Sequence, residues 1–141
     1  MFTNRLPDDI DYRVVFSDYA NRHFLKRFEK DYKGKRWLVT QKSILAQLRR
    51  VHALQDTQQV DQLFYGDGFL IFKYDFAVAQ THISAKKSGN RCVIFLDKKT
   101  NLQTILVIYG KTDLPKNQNE NSYIQAVIKS EFAPYYTLIT G

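Results

Sequence analysis

Lys86–Lys111, KKSGNRCVIFLDKKTNLQTILVIYGK, decides the fold of this chain. Two apolar runs, Cys92–Leu96 and Ile105–Tyr109, are rich in Val, Ile, Phe and Tyr, the side chains that suit a pleated, half-buried surface. Between them the polar stretch Asp97–Gln103 supplies turn formers. The pattern predicts a β-hairpin buried on at least one face. Cations sit at its ends: Lys86, Lys87 and Arg91 before it, Lys98 and Lys99 at the tip, Lys111 after it. An apolar sheet with cations at the strand ends is a rigid platform for an anion. Lys98 and Lys99, at a hairpin tip, are read as solvated charges.

Before this hairpin, Phe69–Ala79 (FLIFKYDFAVA) reads as a strand that Thr81–Lys86 can extend. Gln55–Gly68 is polar and ends in a Gly-Asp-Gly turn signal. Further back, two helices are expected. Over Tyr19–Tyr32, Ala20, Phe24, Phe28 and Tyr32 recur every fourth residue, and Ser17 or Asp18 can cap the first turn. Over Arg36–Leu54, Trp37, Ile44, Leu48 and Val51 share a face. Lys33-Gly34-Lys35 connects the two. Tyr12–Phe16 is a short first strand behind a loose lead-in, residues 1–11. After the hairpin come a polar loop and a short helix, Ser122–Glu131, and then an apolar tail, 132–141, that the pattern does not place. The order β-α-α-β-β-β-α predicts one α+β domain spanning 1–141, with a helical hairpin packed on a mostly antiparallel four-stranded sheet.

Composition narrows the function. The chain of 141 residues has Lys+Arg 21 against Asp+Glu 14, a formal charge of +7, and a sequence pI near 9.5. That balance favours an anionic partner, nucleic acid above all, although a generic basic surface has the same composition. The one cysteine, Cys92, excludes an internal disulfide and a cysteine-based zinc site. No apolar run approaches the ~20 residues that span a bilayer, and no signal segment opens the chain, so a cytoplasmic protein is expected. There is no Walker loop, no G-x-G-x-x-G, no nucleophile elbow and no metal-ligand spacing, so no cofactor is expected. What remains is a set of basic and hydroxyl residues: Lys73, His82, Ser84, Lys86, Lys87, Arg91, Lys111 and Tyr123. His82, Ser84 and Lys86 share one parity, so a strand running through them would project all three from a single face. The helical hairpin covers one face of the sheet and is expected to leave this other face open.

Ala85–Phe95, AKKSGNRCVIF, resembles the K-S-G-x-R-x-x-Y core of RelE-type toxins, the ribonucleases of bacterial toxin–antitoxin pairs. Ile105–Leu114 (ILVIYGKTDL) is similar to the last strand of that family, most of all its HigB branch, and SYIQAVIKSEF is similar to its final helix. The likeness implies a RelE-like fold, a cognate antitoxin partner, and cleavage of mRNA bound to the 70S ribosome. The family reaction has the ribose 2′-hydroxyl attack the adjacent phosphate without a metal. It needs a base, cations on the phosphate and an acid for the leaving oxygen. Carried over by position, Arg91 is the phosphate-binding arginine, whose planar fork can bond two oxygens at once. His82 and Ser84 stand where the family has two alternating lysines; His82 is then the candidate base and Ser84 a hydrogen-bond donor. Lys86 is a further basic group of that strand. Tyr123 matches the tyrosine of the final helix, and Lys111 the lysine after the last strand. Thr112 stands where RelE itself has an arginine, and Asp113 follows it as a partner for His82. Lys73 and Lys87 complete the expected RNA-binding set. Two other functions fit the same fold: a ParE-like inhibitor of DNA gyrase, and a non-catalytic module that touches RNA or ribosome through charge alone.

Overall fold

The computed structural model describes residues 1–8 and 10–140, with the side chain of Lys111 set aside. Strand β1 (Arg13–Phe16) leads into a helical segment of α1 (Asp18–Ala20), a π-turn (Asn21–Leu25) and α2 (Lys26–Asp31). The Ser17 hydroxyl oxygen accepts the Ala20 N–H at 3.0 Å and its proton goes to the Leu106 carbonyl at 2.9 Å, so the cap also ties the helix start to the sheet. Gly34 turns the chain into α3 (Lys35–Arg49) and the single turn α4 (Val51–Leu54). Strands β2 (Val60–Gly66) and β3 (Phe69–Asp75), the short helix α5 (Ala85–Ser88), and strands β4 (Arg91–Asp97) and β5 (Leu102–Tyr109) follow. The chain closes with α6 (Glu120–Glu131) and α7 (Ala133–Thr140).

The sheet has five strands in the order β1-β5-β4-β3-β2, with β1 parallel to β5 and every other pair antiparallel. The predicted hairpin is therefore its centre, β4 against β5. The expectation of four strands is corrected by β2, which lies within the stretch read as polar loop. Its residues VDQLFYG make an edge strand with mixed exposure, so their composition is weaker than that of the centre. The turn Asp67-Gly68 that joins β2 to β3, with Gly68 at φ 82°, is the common hairpin dipeptide.

Each face of the sheet is packed. On one, Phe76 meets Phe28 and Trp37, the Tyr74 hydroxyl bonds Gln47 of α3, and Gln103 donates to the Leu48 carbonyl at 2.7 Å. On the other, Tyr123 of α6 packs edge-on against Tyr109 at 5.6 Å, and Tyr135 of α7 stacks on Phe95 at 4.0 Å. The expectation of an open second face is overturned: α6 and α7 cover much of it. Their cause is the run of residues facing that side, Phe69, Ile71, Val93, Phe95 and Val107, too apolar to be left in water. Within the tail, Phe132–Tyr135 and Phe132–Tyr19 ring contacts anchor α7, and Pro134 falls in its first turn, where no N–H is needed.

Two further differences concern the segments around β3. Strand β3 ends at Asp75, and Thr81–Ser84 is irregular, with positive φ at Gln80 (65°) and His82 (59°). His82, Ser84 and Lys86 thus do not alternate along a strand. The lead-in is also not loose: Phe2 and Leu6 are buried, and Phe2 meets Phe72 edge-on at 4.9 Å. The buried side chain of Gln55 accepts the Leu6 N–H at 2.7 Å and donates to the Leu6 carbonyl at 3.0 Å. Replacing Gln55 by Ala strands both groups, so it should cost roughly 1–3 kcal/mol in denaturant unfolding. The Leu6 amide should then exchange with solvent markedly faster than in the wild type.

Candidate functional site

The motif Lys87-Ser88-Gly89-Asn90-Arg91 is first a structural device. Ser84 caps α5 by accepting the Lys87 N–H at 3.3 Å. Gly89 ends it in the left-handed region, φ 72°, which a residue with a Cβ adopts only with strain. The Ser88 hydroxyl shares its proton between the Phe76 and Ala85 carbonyls at 2.8 and 2.7 Å and accepts the Asn90 N–H at 3.1 Å. These bonds fix where β4 begins, and Arg91 is its first residue.

The β3–β4 register pairs Asp75 with Arg91 and Lys73 with Val93, so Lys73, Asp75 and Arg91 project from one face. That is the face covered by α6. Arg91 Nε donates to Asp75 Oδ1 at 2.8 Å, and Arg91 Nη1 bonds Glu120 Oε2. Glu120 Oε1 accepts from Lys73 Nζ at 2.7 Å. Glu120 stands at the start of α6, whose cap is Asn119, its Oδ1 accepting the Ser122 N–H at 2.8 Å. Arg91 Nη2 has no partner among the described residues. A cleft of about 440 Å³ opens here, lined by Gln58, Asp61, Lys73, Asp75, Lys86 and Arg91 among others. A second hollow of about 430 Å³, lined by Lys73, Asn119, Glu120 and Gln125 with their neighbours, adjoins it through Lys73.

The electrostatics follow from half-burial. Burial alone would lower the Arg91 guanidinium, but the bonds to Glu120 and Asp75 outweigh it and raise the group. For Glu120, burial opposes ionisation, yet Lys73 and Arg91 together hold the carboxyl below its ordinary value. The buried Tyr109 hydroxyl, beside Glu120, has no hydrogen-bond partner of good geometry among the described residues and is pushed far up, by burial first and then by the carboxylate. Among side chains, three cations, Lys73, Lys86 and Arg91, gather with three carboxylates, Asp61, Asp75 and Glu120. The site is charge-rich and close to balanced rather than a purely basic face.

Of the residues singled out in the sequence, Arg91, Lys86 and Lys73 line the first cleft. Lys86 is exposed and donates weakly to the Gln58 carbonyl at 3.4 Å. His82 and Ser84 do not line it; His82 is exposed in the irregular loop, and the Ser84 oxygen is used as a cap. Lys87 is exposed on α5. Tyr123 lies beyond Tyr109, where burial, Tyr19 and Asp113 push its hydroxyl up to about 12, so it stays protonated at neutral pH. Asp113 is a latch: its Oδ2 accepts the Gly110 N–H at 2.7 Å and pairs with Arg27 at 2.5 Å. No bond joins it to His82 among the described residues. Thr112 is exposed and lines a small hollow with Arg27 and Asn90. The side chain of Lys111 lies outside the described residues. Asp75 and Glu120 were missed by sequence reasoning. The signal for Asp75 is its spacing of two from Lys73 in a strand; nothing local marks Glu120.

No protein-family profile and no curated protein sequence matches this chain. A solved chain is similar to it: a component of the archaeal RelE–RelB complex from Pyrococcus horikoshii OT3, at TM-score 0.51 and 10% identity, over 74% of this chain and 100% of that one. The fold is RelE-like. No helix of the described residues is long and apolar enough to cross a membrane.

The lowered Glu120 value sets a pH dependence. Its pairing with Lys73 and Arg91 stabilises the fold fully above the ordinary glutamate value of 4.5 and is lost as pH falls through the lower folded-state value. Glu120→Gln should therefore melt below wild type at pH 7, and the two melting temperatures should converge as the pH is taken below that range.

Proposed function

We propose that this chain is the toxin of a toxin–antitoxin pair, an endoribonuclease that cuts mRNA on the ribosome by 2′-hydroxyl attack. The motif likeness and the RelE-like fold supply the frame, and the HigB branch is the part of the family its last strand and helix most resemble. The observation that carries the reading is that Lys73, Asp75, Lys86 and Arg91 line one cleft. The four groups are the set that the chemistry requires.

In this reading the carboxylate of Asp75 replaces His82 as base and takes the 2′-proton. The 2′-oxygen then bonds to phosphorus, the bond from phosphorus to the 5′-oxygen breaks, and a 2′,3′-cyclic phosphate results. Arg91 and Lys73 hold the charge that builds on the non-bridging oxygens, where fixed donors act more strongly than water. Lys86, the exposed ammonium of the cleft, gives the leaving 5′-oxygen its proton. A cognate antitoxin and a cytoplasmic setting follow from the same frame.

One observation favours a second reading, a non-catalytic RNA- or ribosome-binding module of the same fold: Lys73 and Arg91 are both ion-paired with carboxylates and partly covered by α6. Mapping mRNA 5′ ends after incubation with translating ribosomes separates the two. Wild type should leave discrete cuts with cyclic-phosphate ends. Arg91→Ala should lower cleavage by about two to three orders of magnitude. Asp75→Asn should lower it by about two or more while keeping RNA binding. Uncut transcripts with wild-type protein would overturn the nuclease reading.

A further inference from the structure

Glu120 bonds two cations that the β3–β4 register sets side by side on one face. Its Oε1 lies 2.7 Å from Lys73 Nζ, and its Oε2 is bonded to Arg91 Nη1. A carboxylate whose two oxygens are taken up by an ammonium and a guanidinium has the same donor pattern as a bound phosphodiester, which also offers two charged oxygens. The other anion of the cluster behaves differently. Asp75 bonds Arg91 through Nε, and so orients the guanidinium while its bond takes neither terminal nitrogen.

The two polar hollows tell the same story. Lys73 lines each of them, and Glu120, which lines the second, is bonded to Arg91, which lines the first. The Lys73–Glu120–Arg91 bridge therefore stands between two spaces of about 440 and 430 Å³. Opening the bridge would, in the proposal that follows, join them into one polar trough around Lys73, which lines both. Glu120 is also well suited to leave. It is in the first turn of α6, preceded by exposed Lys116, Asn117 and Asn119, whereas α6 is held to the sheet farther along by buried Ile124, Val127 and Ile128.

We infer that Glu120 is a resident phosphate surrogate, an autoinhibitory anion that closes the trough and must be displaced by a phosphodiester of a single-stranded RNA before Lys73 and both terminal nitrogens of Arg91 can engage it. The inference rests on the RNA reading above and adds its regulation. Charge favours the exchange when the incoming strand carries several phosphates, since one intramolecular carboxylate then competes with a polyanion that also reaches Lys86.

The test is fluorescence anisotropy with a labelled single-stranded RNA of eight nucleotides, titrated across a salt series, with wild type, Glu120→Gln, Glu120→Asp and Arg91→Ala. Glu120→Gln keeps the side-chain volume and removes the charge, and should bind about tenfold tighter than wild type. Its log–log salt dependence should steepen by about 0.7 for each cation released to a phosphate. Glu120→Asp keeps the negative charge at the helix start but is one methylene too short to hold both cations. It should fall between the two, and it serves if Glu120→Gln does not fold. Equal or weaker binding by the folded Glu120 variants, with wild type still losing affinity on Arg91→Ala, would overturn the surrogate and leave the RNA site standing. Binding that Arg91→Ala does not change would instead overturn the RNA reading itself, and the surrogate with it.

Discussion

Arg91 is the charge on which the site depends, and its position is set by sheet register. Because β3 and β4 are antiparallel and Asp75 pairs with Arg91, the carboxylate and the guanidinium meet at the end of the sheet. Half-burial then makes the pairing matter. A charge taken partly out of water is tolerated where it is bonded, and each bonded partner in turn needs its own. From Arg91 the requirement passes to Glu120 and from Glu120 to Lys73, so four side chains from β3, β4 and α6 become one unit. The start of α6 is held there by this unit as well as by its apolar face.

Covering the second face of the sheet moves the site. A platform open along its length would offer a broad basic surface, as the strand-end cations suggest. Instead Tyr123 and Tyr135 close over Tyr109 and Phe95, and the polar groups are confined to the end of the sheet where Lys73, Asp75 and Arg91 emerge. Confinement has a chemical consequence. Charges gathered in a half-buried cleft act on one another and on a ligand more strongly than charges spread on an exposed surface. It also brings carboxylates into the site, which a charge count over the whole chain conceals.

The stretch that resembles a catalytic signature turns out to carry two kinds of residue. Ser88, Gly89 and Asn90 build the turn that ends α5 and starts β4, and Arg91 is what that turn delivers. Asp113, which suggests chemistry by its place after the last strand, instead closes the Gly110 turn and anchors Arg27 of α2. In both cases a polar side chain is consumed by backbone groups that burial would otherwise leave without partners.

Local chemistry in the sequence determined a good deal. The two apolar runs on either side of Asp97–Gln103 specified the central hairpin, the four-residue spacing from Ala20 specified the first helix, and Ser17 or Asp18 was marked as its cap, of which the fold uses Ser17. Each of these depends on neighbours a few residues apart, so a linear reading reaches them. The edge strand β2 was hidden, because half-exposed edge residues carry a mixed pattern that a turn-rich loop also shows. The partners of Arg91 were decided by tertiary structure alone. Asp75 is 16 residues before it and Glu120 29 after, and only register and helix packing bring them within bonding distance. A charge's identity is written in the sequence; what neutralises it is a matter of which distant segments burial forces together.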